Sequence, residues 1–320
     1  MEFDVTALGE LLIDFTHNGS SAQGNPVFEA NPGGAPCNVL SMLSRFGHKT
    51  AFIGKVGNDM FGKMLADAIT ECGIDTGGLC FDPTVNTTLA FVHKLENGDR
   101  DFSFYRNPGA DMMLQEDEIP EGIIAQSKIF HFGTLSMTHE TVAAATRRAI
   151  SIAEKHGVLR SFDPNLRPPL WKDLEDARKA VWYGLAHCDI LKISDNEIQW
   201  LTGEKDYTAG VAALRKEFSI PLILVSMGPD GSRAYTENLM VETPAHLNPD
   251  TIETTGAGDT FCACVLHDVL ENGLTDFSEE RLKNMLSTAN AAASIVTTRR
   301  GALRVMPMPE EIKALLSTLR

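Results

Sequence analysis

The sequence is poor in basic residues relative to acidic ones. Its 28 lysines and arginines stand against 43 aspartates and glutamates, which gives a formal net charge of −15 at pH 7. A field of this sign repels nucleic-acid phosphates and anionic membrane surfaces. We therefore expect neither a nucleic-acid partner nor a membrane partner, and an anionic ligand would need a local cluster of hydrogen-bond donors.

Cysteines are few, and long apolar runs are absent. The six cysteines are scattered, and only Cys262 and Cys264 lie close together, so zinc-ligand spacing is missing. No stretch approaches the ~18 apolar residues of a membrane span. Residues 1–15 carry Asp4, Glu10 and Asp14 and have no basic segment in front of the apolar residues, unlike a signal peptide. These features predict a cytoplasmic protein with reduced, mostly buried cysteines.

Two common nucleotide-binding motifs are also missing. No G-x-G-x-x-G follows the first predicted strand, which argues against a nicotinamide-dependent dehydrogenase. Residues 57–64 match G-x-x-x-x-G-K but end in Met64, where a magnesium-binding Ser or Thr would be required. We interpret this run as a strand-to-helix turn with Asp59 near the helix cap and with Phe61 and Leu65 facing the core.

The sequence does contain an alternation of β-rich runs and helical periodicity. The β-rich runs lie at 3–9, 50–54, 128–133, 158–163, 189–194 and 221–226. Residues 138–156 are typical of a helix, with Thr138 or Thr141 as the cap and Gly157 at its end. Repeated strand–helix units predict a parallel sheet buried between helices, with ligands at the carboxyl ends of its strands.

Two segments interrupt this alternation. Residues 86–105 have β-type composition around Asn97-Gly98, the pair that a tight hairpin turn favours, and residues 10–30 follow the first strand. We expect parts of 10–30 and 86–108 to form a small lid sheet within a single domain covering 1–320. If the chain forms a homodimer, we expect it to do so through this lid.

The run Ile252-Glu-Thr-Thr-Gly-Ala-Gly-Asp-Thr-Phe261 leads directly into an apolar helix. The glycines of Gly256-Ala257-Gly258 leave backbone N–H groups unobstructed at the positive end of the helix dipole, an arrangement suited to an anion. Asp259 within this turn can take a proton from a hydroxyl that attacks a phosphoryl group. The alternative is that Asp259 only supports the first helical turn.

A second glycine-rich run, residues 31–38 (NPGGAPCN), precedes another helix. Gly33-Gly34 would allow a small polyol to approach the main chain closely, and Asn38 offers both a donor and an acceptor. The alternative is a simple turn.

Together, these two runs resemble the two signatures of the ribokinase-like (PfkB) carbohydrate kinase family. The runs at 104–111, 162–167 and 192–195 resemble its fructokinase branch, and D-P-N-L-R-P-P-L-W at 163–171 is the most specific of them. The resemblance covers nearly the whole chain. It implies a three-layer α/β/α fold with a mostly parallel central sheet and a small β-sheet lid.

The resemblance also implies an activity. It is transfer of the ATP γ-phosphoryl group to a sugar hydroxyl with Mg²⁺ as cofactor, with D-fructose as the expected substrate. The alternatives within the family are a 2-keto-3-deoxygluconate kinase and another sugar or nucleoside kinase, and the alternative from a different class is a sugar-binding regulator without turnover. The retained Asp259 and its glycines argue against the regulator, and the D-P-N-L-R run argues against a nucleoside kinase.

The resemblance carries roles over to individual positions. For the reaction itself, it implies that Asp259 is the catalytic base and that Gly256, Ala257 and Gly258 form its anion hole. The residues that it implies bind the sugar are Asp14, Gly33, Gly34, Asn38, Arg106 and Arg167. The residues that it implies bind the nucleotide are Lys192, Ser226, Gly228, Gly231 and Asn290. The alternatives are surface salt bridges for the two arginines and a helix-surface amide for Asn290.

Two positions depart from the family pattern. Ser194 stands where the family's N-x-x-E element has Asn. The resemblance implies that the Glu of this element, Glu197, binds Mg²⁺ through water; the alternative is that Glu197 is only a helix N-terminal acid. Glu253 stands where the family usually has Asp, at the position that resembles a side chain that helps to bind a monovalent cation, and Val305 stands where a hydroxyl residue is common. This second departure predicts that K⁺ is dispensable.

Overall fold

Helices and strands alternate along most of the chain in a computed structural model, which describes residues 1–94 and 100–318. The strands are β1 (Phe3–Leu8), β2 (Leu12–Ser20), β3 (Pro26–Gly33), β4 (Thr50–Gly57), β5 (Ile74–Asp82), β6 (Leu89–Lys94), β7 (Arg100–Tyr105), β8 (Ser127–Gly133), β9 (Leu159–Asp163), β10 (Ile190–Ser194), β11 (Leu222–Ser226), β12 (Ser232–Tyr235) and β13 (Met240–Thr243). The helices are α1 (Ala35–Arg45), α2 (Met60–Glu71), α3 (Glu121–Ala125), α4 (Glu140–Lys155), α5 (Leu174–Ala186), α6 (Asp195–Thr202), α7 (Tyr207–Glu217), α8 (Ala257–Asn272), α9 (Glu279–Val296) and α10 (Pro309–Thr318).

The larger sheet has nine strands in the order β13-β12-β11-β10-β9-β8-β1-β4-β5. The seven strands from β11 to β5 run parallel, and β12 and β13 extend one edge in antiparallel pairing. The six predicted runs correspond to β1, β4, β8, β9, β10 and β11, so the parallel core is confirmed. The edge strands β5, β12 and β13 were not predicted.

Alternate residues of the central strands face two separate apolar cores. On β11, Leu222 and Leu224 pack into the core that includes α1, α2, α8 and α9, whereas Ile223 and Val225 pack into the core that includes α4 to α7. Burial on both faces explains why these strands read as continuous apolar runs. The three-layer α/β/α arrangement is confirmed.

The smaller sheet has four strands in the order β3-β2-β6-β7. β2 pairs antiparallel with β3 and parallel with β6, and β6 pairs antiparallel with β7. The sheet thus combines the two segments that interrupted the alternation, as predicted. The proposed turn at Asn97-Gly98 lies outside the described residues. That this sheet acts as a lid of a single domain stays a prediction.

Helix caps decide two of the sequence interpretations. Asp59 is the N-cap of α2 and accepts a hydrogen bond from the Gly62 N–H, as expected for a strand-to-helix turn. The expected caps of α4 were wrong: His139 is its N-cap, and its Nδ1 accepts from the Thr141 N–H. Thr138 does not cap α4, because its hydroxyl donates to the Leu135 carbonyl and accepts from Arg106.

All six cysteines are free, and four of them are buried. Cys72 and Cys80 are partly exposed. Within the part of the chain that the structure describes, no helix is both long and apolar enough to cross a bilayer.

Candidate active site

The candidate site is a cavity of about 830 Å³ at the carboxyl ends of the parallel strands. β10 and β11 contribute their last residues to it, and α1 and α8 point their N-terminal ends toward it. The predicted site residues that line the cavity are Asp14, Gly34, Asn38, Arg167, Lys192, Glu197, Ser226, Gly228, Glu253, Gly256, Gly258 and Asp259. Segments from both halves of the chain thus converge on one space.

Asp259 lies in the first turn of α8, and Gly256 is the N-cap of that helix. Gly256 has a φ of 77°, and a Cβ there would lie 2.6 Å from Cβ of Ala302, so only glycine fits. Asp259 Oδ2 accepts a hydrogen bond of 2.8 Å from Nδ2 of Asn38. Burial raises the pKa of Asp259, and the Asn38 hydrogen bond and the Lys192 charge partly oppose that rise. The carboxylate is therefore oriented and more basic than usual.

Asn38 lies one turn into α1, which begins after Gly34. The φ of Gly34 is 131°, and a Cβ there would lie 2.3 Å from the Glu10 carbonyl oxygen, so this position requires glycine. While Nδ2 of Asn38 donates to Asp259, the described residues provide no hydrogen-bond partner for its buried Oδ1. An unpaired buried acceptor is costly, so a donor from a ligand would satisfy it.

Lys192 brings a positive charge to the glycine-rich turn. Its Nζ lies 3.0 Å from Oδ2 of Asp163, and both side chains are buried. A Cβ on Gly258 would lie 3.2 Å from the same Nζ, so the ammonium group lies against the turn. Burial alone would lower the pKa of Lys192, but Asp163 and Glu197 raise it on balance. Lys192 therefore keeps its charge despite burial.

Glu197 forms a capping box with Ser194 at the start of α6. Its Oε2 accepts from the backbone N–H and the hydroxyl of Ser194, and its Oε1 accepts from the Leu166 N–H at 2.7 Å. Glu197 is thus a helix N-terminal acid, as the alternative held, and it also lines the cavity. Its predicted role at Mg²⁺ stays a prediction.

Glu253 also lines the cavity, and its Oε1 accepts from the Gly301 N–H at 2.8 Å. One carboxylate oxygen of this residue is therefore already engaged with the chain that follows α9. Val305 lies in a short 3₁₀ helix of the same segment.

Among the predicted residues outside the lining, three lie in glycine-containing segments near the cavity. Gly33 lies beside Asp14, since a Cβ there would lie 2.4 Å from Oδ2 of that aspartate. Gly231 has a φ of 102° and approaches the Thr243 carbonyl oxygen, so it shapes the loop after β11. Ala257 is the first residue of α8.

Arg106 does not line the cavity. Its Nε donates to Asp111, its Nη1 to the Thr138 hydroxyl and its Nη2 to the Leu135 carbonyl, and only 8% of the residue is exposed. The surface salt bridge offered as an alternative is therefore wrong, since this ion pair is buried. Arg106 directly follows β7 and joins it to Asp111, Thr138 and Leu135. Its contact with a sugar stays a prediction.

Asn290 does not line the cavity either, and it is not a helix-surface amide. The side chain is buried between α9 and the sheet edge, where its Oδ1 accepts from Ser232 and its Nδ2 donates to Thr243 and the Pro244 carbonyl. These bonds join α9 to β12 and to the end of β13. A role near the nucleotide stays a prediction.

Residues 2–309 match the pfkB family of carbohydrate kinases. This chain belongs to that family. The kinase is 41% identical to probable fructokinase-2 of Arabidopsis thaliana, over 95% of this chain and 92% of that protein. It is 38% identical to fructokinase-1 of Zea mays, over 98% of this chain and 97% of that protein. Membership makes it a phosphotransferase that acts on a sugar hydroxyl, and it confirms the resemblance found in the sequence.

Solved structures give the same result for the fold of the kinase. The ATP-bound fructokinase of Xylella fastidiosa superposes with a TM-score of 0.91 at 31% identity, covering 100% of this chain and 99% of that one. The Vibrio cholerae fructokinase with fructose, ADP and calcium superposes with a TM-score of 0.87 at 29% identity, covering 99% and 100%. A double mutant of the latter enzyme contains fructose, ADP and a potassium ion. The ribokinase-like fold is therefore confirmed.

Glu10 is a cavity residue of the kinase that the sequence interpretation did not assign to the site. It is only 6% exposed, and its Oε1 accepts from the Ala35 N–H at 2.9 Å, in the first turn of α1. Burial raises the pKa of Glu10 from its ordinary value of 4.5 to about 7. The sequence signal for a buried Glu10 is its position inside the apolar run that follows the first strand. The same residue also argues against a signal peptide.

We expect Glu10→Gln to stabilise the kinase at high pH. Because folding raises the pKa of Glu10, the protonated Glu10 side chain contributes fully to the stability of the fold below pH 4.5. That contribution is lost as the pH rises through about 7. Glutamine keeps an oxygen that can accept from Ala35 and carries no charge. The free energy of unfolding, measured with urea, should rise by up to about 3 kcal/mol at pH 8 and hardly change at pH 4.5.

The matched control is Glu204→Gln, which removes a charge from an exposed loop. It should not reproduce the pH-dependent difference. Equal effects of Glu10→Gln at both pH values would show that Glu10 does not titrate as a buried acid.

Proposed function

We propose that this carbohydrate kinase is a fructokinase, which transfers the ATP γ-phosphoryl group to the 6-hydroxyl of D-fructose and forms D-fructose 6-phosphate and ADP. The observation that carries this proposal is the carboxylate of Asp259, which Asn38 holds at a glycine-built helix N-terminus in the same cavity as Lys192. The choice of fructose is supported by full-length relatives named fructokinases and by a similar enzyme that binds fructose and ADP.

Asp259 is the proposed general base. The hydrogen bond from Asn38 fixes Oδ2 and so orients the carboxylate, and its raised pKa favours acceptance of a proton from the sugar hydroxyl. The N–H groups of Gly256, Ala257 and Gly258, with the Lys192 ammonium beside them, are the proposed groups that stabilise negative charge on the transferring group. The positive N-terminal end of α8 would thus stabilise the negative charge that develops on the transferring phosphoryl group.

ATP, when bound, supplies the phosphoryl group, and Mg²⁺ offsets the charge of its phosphates. The cavity is lined by the carboxylates of Asp195, Glu197 and Asp259, and oxygen donors of this kind fit Mg²⁺. Glu197 is the residue we propose to hold Mg²⁺ through water. The residues we propose at the nucleotide are Lys192, Ser226, Gly228, Gly231 and Asn290.

The sugar is the proposed partner of Asn38 Oδ1, the buried acceptor that no described residue satisfies. The other residues proposed at the sugar are Asp14, Gly33, Gly34, Arg106 and Arg167. Asp14 on β2 and Phe104 on β7 both line the cavity, so the small sheet borders the sugar end of the site. This placement supports the role of that sheet as a lid.

The same small sheet is the surface we propose for a homodimer. On this sheet, the ring of Phe91 contacts those of Phe15, Phe28 and Tyr105. Tyr105 is 66% exposed and Phe28 is 37% exposed, and aromatic groups exposed together favour association.

A 2-keto-3-deoxygluconate kinase is the second candidate, because Arg167 is exposed and lines the cavity, where it could bind a carboxylate. We expect kcat/KM for fructose to exceed that for the keto acid by at least about tenfold, because recognition of the acid requires a dedicated positive subsite. ATP consumption should be compared across fructose, 2-keto-3-deoxygluconate, ribose, tagatose and nucleosides. Faster turnover of the keto acid would overturn the fructose assignment, and no turnover of any substrate would favour the regulator.

Asp259→Asn should lower kcat by about 10²–10⁴, the usual loss of a general base, with little change in the affinity for fructose or ATP. Stopped or coupled assays of ADP release give kcat, and calorimetric titration gives the affinities. Asp250→Asn, in the exposed loop before the glycine-rich turn, is the matched control and should retain activity. A variant within threefold of wild type would mean that Asp259 is only a structural acid.

We expect K⁺ to be dispensable for turnover. Glu253 is one methylene longer than aspartate, which displaces its carboxylate, and one oxygen of that carboxylate already accepts from the Gly301 N–H. Exchange of K⁺ for a bulky organic cation at fixed ionic strength should lower kcat by less than about threefold, whereas Glu253→Asp should increase the dependence. A tenfold loss in the wild type would show that Glu253 or backbone carbonyls form a working cation site.

A further inference from the structure

A second group of metal-binding side chains lies at the opposite end of α8 from the glycine-rich turn. His48, in the turn between α1 and β4, and His267 and Glu271 on α8 each offer one ligand atom, and these atoms lie within 4.8 Å of one another. His267 and Glu271 are four residues apart and so share one face of the helix. His267 follows Asp259 by eight residues, or about 12 Å along the helix axis, so the group is separate from the catalytic cavity.

The surroundings of this group orient its ligands. The ring of Phe46 stacks on that of His267 with centroids 4.0 Å apart and planes nearly parallel. Asp4 Oδ2 accepts from the Lys49 N–H and lies 3.7 Å from Nδ1 of His48, beyond hydrogen-bond distance, so its charge favours a proton on Nδ1, which would leave the lone pair of Nε2 for a metal ion. A carboxylate behind a ligating imidazole is the usual outer partner of a metal-bound histidine.

The distances are close to those that a bound metal ion requires. His48 Nε2 and His267 Nδ1 are 2.8 Å apart, which allows one ring to donate to the other when no metal is bound. At a metal–nitrogen distance of about 2.0–2.1 Å, tetrahedral coordination places two nitrogen ligands about 3.3 Å apart. A ring shift of about 0.5 Å would therefore suffice. Glu271 is exposed, which gives an ion a path from solvent.

We propose that His48, His267 and Glu271 bind a divalent transition-metal ion, represented by Zn²⁺, with solvent as the fourth ligand. Two imidazoles and one carboxylate are a typical zinc set, whereas Mg²⁺ prefers oxygen ligands alone. The ion would tie the turn after α1 to α8. These are the two helices that carry Asn38 and Asp259 near their other ends, so the bound ion would stabilise the packing that positions these two residues.

The test is calorimetric titration of the full-length, chelator-treated protein with Zn²⁺, in excess Mg²⁺ and without sugar or nucleotide. We expect one equivalent to bind, with the affinity lowered at least about tenfold by His267→Gln and by Glu271→Gln. Zn²⁺ should also raise the midpoint of thermal unfolding of the wild type, since an ion that binds only the folded state stabilises it.

The matched control is His187→Gln, which removes a histidine paired with Glu154 at 2.7 Å but leaves the three proposed ligands intact. It should bind Zn²⁺ within about twofold of wild type. Glu271 is exposed, so its substitution should preserve the fold even if His267→Gln does not. No saturable binding, or equal affinity in wild type and Glu271→Gln, would overturn the proposal.

Cobalt substitution tests the ligand identity without a variant. Co²⁺ in this site should show the intense visible absorption of tetrahedral coordination and no thiolate-to-metal charge transfer. Charge-transfer absorption would assign the ion to the partly exposed Cys72 or Cys80 and overturn the proposal.

Discussion

Packing of α1 against α8 places Asn38 beside Asp259, although the two residues are 221 positions apart. Both helices bury their apolar faces in one core, through Cys37 and Leu40 on α1 and Phe261 and Val265 on α8. Because a close-packed core allows little sliding, the two helix N-termini keep a fixed relation at the cavity. The 2.8 Å hydrogen bond, and with it the orientation of the proposed base, follows from that packing.

An acidic kinase must concentrate its positive charge where phosphates bind. With a net charge of −15, the chain as a whole disfavours anions, yet the cavity contains Lys192, Arg167 and the amide groups that open α8. Asp163 holds Lys192 in place at 3.0 Å and keeps its ammonium charged despite burial. Positive charge supplied partly by backbone dipoles does not need a basic surface.

Two buried polar residues, Arg106 and Asn290, join structural elements near the cavity. Arg106 joins β7 to the segment before α4 through Asp111, Thr138 and Leu135, and Asn290 joins α9 to the edge strands. An arginine or asparagine that binds a ligand and one that joins two elements look the same in a sequence, because both need the same donors. In this structure the protein itself supplies hydrogen-bond partners for Arg106 and Asn290, as expected because burial of an unpaired polar group is costly.

Local pattern determined the alternation of strands and helices, the parallel core, the small sheet and the two glycine-rich turns, because periodicity and backbone freedom depend on neighbouring residues. The family resemblance added the kinase reaction. Tertiary structure alone decided the edge strands, such as β5 with its two glycines, and the cap of α4, where Arg106 engages Thr138. It also decided the burial of Glu10 beneath α1, since hydrogen-bond partners distant in sequence are chosen by packing.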